Sequence, residues 1–166
     1  MTGLQTVERS DTISLAALTE EVFCDLDPVA EKHQVRLIQT DGDCTVTGSY
    51  ILLYRAVYNL VENAIKYNRP SGSVTVSIHS AESAVLEVTD TGIGISPENQ
   101  EKIFDPFYRV DKSRSRAMGG AGLGLALVSE IARQHNGQVK VTQSSEKGST
   151  IALILPCLLY TSPSPR

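Results

Sequence analysis

Asn59 and Asn63 stand four residues apart, and Lys66 follows three further on. On a helix that spacing puts all three side chains on one side. The helix is legible across 49–67, where Leu53, Ala56, Val57, Leu60 and Ala64 mark an apolar face and the three polar residues fall away from it. Asparagine is a poor residue for a helix interior, because its amide competes for backbone groups. Its carbonyl is a hard oxygen ligand suited to Mg²⁺, and a lysine one turn on could meet a phosphate. Taken alone, the three residues are accounted for at least as readily by a solvated polar face.

Asp90-Thr91-Gly92-Ile93-Gly94 is a second group. In an alternating strand Asp90 shares its face with Leu86 and Val88, so its carboxylate turns toward the buried side. A buried carboxylate is costly unless donors satisfy it, and an adenine amino group would be such a donor. The two glycines would let the backbone approach a planar ligand closely. A β-turn opening on aspartate is the plain alternative. Gly119-Gly120-Ala121-Gly122-Leu123-Gly124-Leu125 is a third group, a glycine run opening a helix. There, free backbone N–H groups and the helix dipole favour phosphate; a flexible linker is the weaker account. Between the second and third groups lie Phe104-Asp105-Pro106-Phe107-Tyr108-Arg109 and then Lys112, Arg114 and Arg116. These cations could close over a triphosphate or simply form a solvated charged loop.

The elements needed to position these groups can be read around them. Leu15, Leu18, Val22, Leu26 and Val29 predict an amphipathic helix within 13–33, which Pro28 would kink or interrupt. Val35–Ile38 reads as a strand, Asp41-Gly42-Asp43 as a turn and Cys44–Thr47 as a second strand closing a hairpin. Strands follow at Val74, Val76 and Ile78, and at Ala84, Leu86, Val88 and Asp90. Ser96-Pro97-Glu98 has the form of a helix N-cap with proline at the first position, and 105–121 reads as a loop. Leu123, Leu127 and Ile131 mark a helix closed by Asn136-Gly137. Strands at Val139 and Val141 and at Ile151–Leu155 end the pattern, the latter after a turn at Glu146-Lys147-Gly148. Strict βαβ alternation is absent. The expected class is α+β: a two-layer α/β sandwich with a mixed, mostly antiparallel sheet and three main helices on one face.

Bulk properties bound the function. The chain has 166 residues, 41% hydrophobic and 20% charged, with a net charge of −4. That fits one domain and gives no reason to expect nucleic-acid binding. Apolar runs are too short to span a bilayer. The start, MTGLQTVERSD, is not a signal peptide. A cytoplasmic location is expected for this segment, with anchoring of a parent protein in an inner membrane left open. Cys24, Cys44 and Cys157 have neither metal-ligand nor redox spacing, so reduced, structurally silent thiols are expected. His33, His79 and His135 lie too far apart in sequence to suggest a metal site. The last ten residues, CLLYTSPSPR at 157–166, look like a reading frame through a transposon-end sequencing adapter. The domain is therefore expected to occupy 11–156, with 1–10 the remnant of an upstream helical hairpin.

Asn59-Leu60-Val61-Glu62-Asn63-Ala64-Ile65-Lys66-Tyr67 resembles the N box of sensor histidine kinases. Asp90-x-Gly92-x-Gly94 resembles their G1 box, Phe104–Arg109 their F box and Gly120-x-Gly122-Leu123-Gly124-Leu125 their G2 box. All four occur in the family's order and with its gaps. Asn68 stands where the family more often has Thr or Ser, a departure expected to touch none of the site roles.

The resemblance implies the ATP-binding sandwich shared with gyrase, Hsp90 and MutL. It implies that Asn63 ligates Mg²⁺, that Asn59 supports the metal and phosphate network, and that Lys66 contacts phosphate. Tyr67 would pack near the nucleotide, Asp90 would accept from the adenine amino group, and Gly92, Gly94 and Ile95 would shape and line that pocket. Arg109 would sit over the phosphates in a lid. Gly120, Gly122 and Gly124 would hinge the lid and hold phosphate, with Leu123 and Leu125 in the same nucleotide-binding segment. Asn59, Lys66 and Arg109 would carry the catalysis.

The implied activity is binding of Mg-ATP and transfer of its γ-phosphoryl group to a histidine on an upstream dimerisation domain, ahead of a response-regulator receiver domain. No histidine here is followed by an acidic residue, as that acceptor would be: His33 precedes Gln34, His79 precedes Ser80 and His135 precedes Asn136. The segment is therefore expected to be monomeric and not to autophosphorylate alone, within a homodimeric parent. Alternatives are an ATP hydrolase, a non-catalytic nucleotide-binding module and an anti-sigma-factor serine kinase. The hydrolases place a glutamate where Asn59 stands, and an amide cannot act as a general base. Glu62 is expected to point elsewhere on the helix.

Overall fold

The structure is a computed structural model that describes residues 11–105 and 124–157. Its first element is a short strand, β1 (Asp11–Ser14), which leads directly into α1 (Leu15–His33). Ser14 caps that helix by accepting from the Ala17 N–H. Leu15, Leu18, Val22, Leu26 and Ala30 bury one face, and the helix runs through Pro28, which lies on its exposed side. Strands β2 (Arg36–Gln39) and β3 (Thr45–Gly48) follow, then α2 (Tyr50–Lys66), capped by the Ser49 hydroxyl. The remaining elements are β4 (Ser73–Ser80), β5 (Ser83–Asp90), α3 (Gly124–Gln134), β6 (Gln138–Ser145) and β7 (Gly148–Pro156).

Five strands form one sheet in the order β2-β4-β5-β7-β6, in which only the β2–β4 pair is parallel. The inner side of each central strand is buried: Val74, Val76 and Ile78 on β4, Ala84, Leu86 and Val88 on β5, and Ile151, Leu153 and Leu155 on β7. Intervening residues such as His79 and Thr89 are exposed. The helices cover the buried face, where Leu53, Val57, Leu60, Val61 and Ile65 of α2 join Val128, Ile131 and Ala132 of α3. The expected two-layer sandwich with a mixed, mostly antiparallel sheet is the one observed.

Two local expectations are corrected, the strand pairing around 41–43 and the buried stripe of α3. The strands around Asp41–Asp43 do not form a hairpin: β3 pairs antiparallel with β1, and β2 pairs with β4. Asp43 explains the diversion. Its carboxylate accepts from Ser14 Oγ at 2.8 Å, Ala16 N at 2.9 Å and Cys44 N at 2.7 Å, which ties the entry of β3 to the start of α1. Ser96 stands at the N-cap of a short 3-10 turn, Pro97–Asn99, with proline in its first turn as expected, and a second such turn follows at Lys102–Phe104. On α3 Leu127 is 37% exposed, and the buried stripe is Leu125, Val128, Ile131 and Ala132. Cys44 and Cys157 are buried neighbours with Sγ atoms 2.9 Å apart, which places these two thiols in the core. Burial, followed by the neighbouring Cys157 thiol, pushes the Cys44 thiol up to about 11.

Candidate functional site

Two segments meet at one end of the sheet: the last turn of α2 and the loop leaving β5. On α2, Asn59, Asn63, Lys66 and Tyr67 are all partly exposed, while Leu60, Val61, Ala64 and Ile65 between them are buried. Asn63 Nδ2 donates to the Asn59 carbonyl at 3.0 Å. A carbonyl can only accept, so this bond fixes which way the amide points. Asn63 Oδ1 has no hydrogen bond among the described residues and is available to a hard cation. Lys66 Nζ lies 3.6 Å from Glu62 Oε2 in an i, i+4 pair. Glu62 therefore sits beside Lys66, as their i, i+4 spacing implies.

The loop is held differently. Asp90 ends β5 with Val74 of β4 and Ser149 of β7 as its strand neighbours. Its Oδ1 accepts from Gly92 N at 2.8 Å and from Ser149 N at 3.3 Å. No hydrogen bond among the described residues reaches Oδ2. Burial raises the carboxyl above the usual carboxylate range, and the two backbone N–H groups oppose that rise. The donors that offset the cost of burying Asp90 thus include the protein's own backbone, which spacing alone did not reveal.

The glycines of this loop serve close approach between protein segments. A Cβ on Gly92 would lie 2.3 Å from the Tyr67 carbonyl oxygen. Gly94 has a φ of +81°, and a Cβ there would lie 2.0 Å from the Ser145 carbonyl oxygen. Gly92 therefore brings the loop against the end of α2, and Gly94 brings it against the β6–β7 hairpin. Ile95 continues the contact: its N–H donates to Ser144 Oγ at 2.7 Å and its carbonyl accepts from Gln100 Nε2 at 3.0 Å.

The structure thus brings Asn63, Lys66 and Tyr67 into the same region as Asp90, Gly92, Gly94 and Ile95. Gly124 opens α3, and Leu125, in its first turn, is buried in the core. Arg109, Gly120, Gly122 and Leu123 lie outside the described residues. Sequence reasoning missed Ser144 and Ser149, whose only signal was their place beside a turn. Asn68, set apart as a departure from the family pattern, lies beside the loop. Asn68 Oδ1 accepts from Thr91 Oγ1 at 2.9 Å, so the residue contacts the loop directly. A groove of about 290 Å³ lies at the opposite end of the sheet, lined in part by Ser83, Gly137, Ile154 and Cys157, and contains none of the predicted site residues.

A sandwich of this topology, with an amide-bearing helix beside a carboxylate loop, matches the family model described as "Histidine kinase-, DNA gyrase B-, and HSP90-like ATPase" over residues 48–158, and the chain belongs to that family. Within it, the curated relatives are sensor histidine kinases. The chain is 46% identical over 126 residues to the sensor-like histidine kinase SenX3 of Mycobacterium tuberculosis H37Rv, covering 74% of this chain and 30% of that protein. The chain thus spans about a third of the length of such relatives. Among solved structures, the mycobacterial sensor histidine kinase MprB aligns with a TM-score of 0.75 at 28% identity, covering 89% of this chain and 97% of that one. Full-length ShkA, solved with AMPPNP, has the same fold, with a TM-score of 0.79 at 24% identity over 92% of this chain and 32% of that one. Among the described residues no helix is long and apolar enough to cross a membrane.

Proposed function

We propose that this segment is the ATP-binding catalytic part of a sensor histidine kinase, holding Mg-ATP so that its γ-phosphoryl group passes to a histidine on an upstream dimerisation domain and then to a response-regulator receiver domain. The observation that carries the reading is Asp90. One carboxylate oxygen is fixed by Gly92 N and Ser149 N, and the other has no protein partner among the described residues. That open acceptor suits the amino group of adenine. Asn63, with its Nδ2 tied back to Asn59 and its Oδ1 without a partner among the described residues, has the chemistry to hold Mg²⁺, with Lys66 one turn on for phosphate. The bound cation would supply charge neutralisation on the phosphates.

Phosphoryl transfer asks the protein chiefly for positioning and electrostatics. The members of this family whose names are kinases, and the presence of AMPPNP in the ShkA structure, support the reading. A hydrolase is disfavoured by Asn59, which cannot deprotonate water. Arg109 and the glycines at 120, 122 and 124 are assigned to a lid on the strength of the sequence motifs.

Calorimetric titration with ATP, with and without Mg²⁺, tests this. Asp90→Ala should weaken ATP binding by at least about tenfold in either condition, the scale of a lost charge-assisted hydrogen bond. Asn63→Ala should mainly erase the gain that Mg²⁺ brings to the wild type. Unchanged ATP affinity in both variants would overturn the nucleotide reading.

A further inference from the structure

The chain leaving α2 does more than end a helix. Asn68 makes three hydrogen bonds with its amide: Oδ1 accepts from Thr91 Oγ1 at 2.9 Å and from Arg69 N at 2.8 Å, and Nδ2 donates to the Ser73 carbonyl at 2.9 Å. Thr91 Oγ1 in turn accepts from Ser73 N at 2.9 Å, so the residue after Asp90 is enclosed in a network whose donors and acceptors all match. Arg69 reaches further. Its Nη2 donates to the Gly92 carbonyl at 2.8 Å and to the Glu146 carbonyl at 2.9 Å. One guanidinium nitrogen therefore joins the Asp90 loop to the turn of the β6–β7 hairpin, which also supplies Ser149 N to Asp90 and Ser144 Oγ to Ile95.

We propose that Asn68 and Arg69 are positioning residues for the base-recognising loop, clamping Asp90–Gly94 between the end of α2 and the β6–β7 hairpin. In this way they set the distance between the cation-holding amides of α2 and the carboxylate that reads the base. Neither side chain contacts the nucleotide in this scheme. Each acts through backbone and hydroxyl groups of the loop. The proposal rests on the nucleotide reading given above and assigns a selectivity role to a segment outside the four recognised motifs.

Arg69 also offers a competing account, in which its positive charge simply attracts phosphate. The two accounts differ in geometry. A lysine keeps the charge, but its ammonium sits one bond nearer the backbone than Nη2, on a stem without the planar group that holds that nitrogen between the two carbonyls. They differ in selectivity as well. A displaced loop weakens discrimination between adenine and guanine, whereas lost phosphate attraction weakens both nucleotides alike.

The test is calorimetric binding of Mg-ATP and Mg-GTP to the whole chain as wild type, Arg69→Ala, Arg69→Lys, Asn68→Ala and Asp90→Ala, with the melting temperature of each recorded. Arg69→Ala and Asn68→Ala should each weaken ATP about fivefold to thirtyfold and narrow the ATP-over-GTP preference by a similar factor. Arg69→Lys should remain close to Arg69→Ala. Full recovery in Arg69→Lys, or equal losses for ATP and GTP, would overturn the proposal. So would a loss of affinity that merely follows a fall in melting temperature. Asp90→Ala separates the layers: if it binds ATP as the wild type does, the nucleotide reading itself fails, whereas if it loses ATP while both clamp variants keep it, only the clamp fails.

Discussion

The polar face of α2 and the Asp90–Ile95 loop would serve one ligand, yet they are built by opposite means. On α2 the functional groups are ordered by the helix itself. Asn63 is aimed by a carbonyl four residues earlier, and Lys66 is paired with a carboxylate four residues earlier. The loop is ordered from a distance, by Asn68 across 23 positions, by Ser144 across 49 and by Ser149 across 59. A wall made by periodicity survives wherever the helix survives. A wall made by remote contacts is only as sound as every segment that touches it. The amide wall should therefore tolerate damage elsewhere in the molecule, and the carboxylate wall should not.

Gly148→Ala should break the contrast open most widely. Gly148 has a φ of +138°, and a Cβ there would lie 1.9 Å from the Asp90 carbonyl oxygen. Urea unfolding should show a loss of about 2–4 kcal/mol, with ATP affinity falling as well because Ser149 N moves away from Asp90. A loss no larger than that of a surface substitution would mean that the hairpin does not brace the loop.

Asp90→Asn sharpens the comparison through pH. Burial raises the Asp90 carboxyl in the folded chain, so folding favours the protonated form. That contribution is complete below the usual carboxylate range and is lost as pH rises through the higher folded-state value. The stability of the wild type relative to Asp90→Asn should therefore fall over that window as pH increases. A difference that is flat, or that grows with pH, would refute the burial argument. The smallest effect belongs to the other wall: Glu62→Gln removes a partly exposed i, i+4 pair and should shift stability by no more than about 0.5 kcal/mol.

The same division governs what could be read from the residues alone. Helix α2 was legible because its apolar spacing is regular and its polar groups follow the same period. The alternation of β4 and β5 announced both strands, and Asp90 followed from that alternation. The β1–β3 pairing was hidden, because it depends on the Asp43 carboxylate reaching back to Ser14 and Ala16, a contact across the length of α1. On α3 the leucine at 127 drew the periodicity onto the wrong stripe, since an exposed leucine and a buried one look identical in sequence. Asn68 looked like a harmless departure because its partners, Thr91 and Ser73, are set by sheet register. Its amide serves three partners from two separate atoms: Oδ1 accepts from Thr91 Oγ1 and Arg69 N, and Nδ2 donates to the Ser73 carbonyl.

The strand order β2-β4-β5-β7-β6 puts the last of the described strands between two earlier ones. During synthesis β5 and β6 emerge with nothing to join them, and the sheet can close only when β7 slots between them. Until then β5 presents an open edge, a template for pairing with other chains. The carboxylate loop would thus mature on the ribosome only after β7 has emerged, when α2 is already complete.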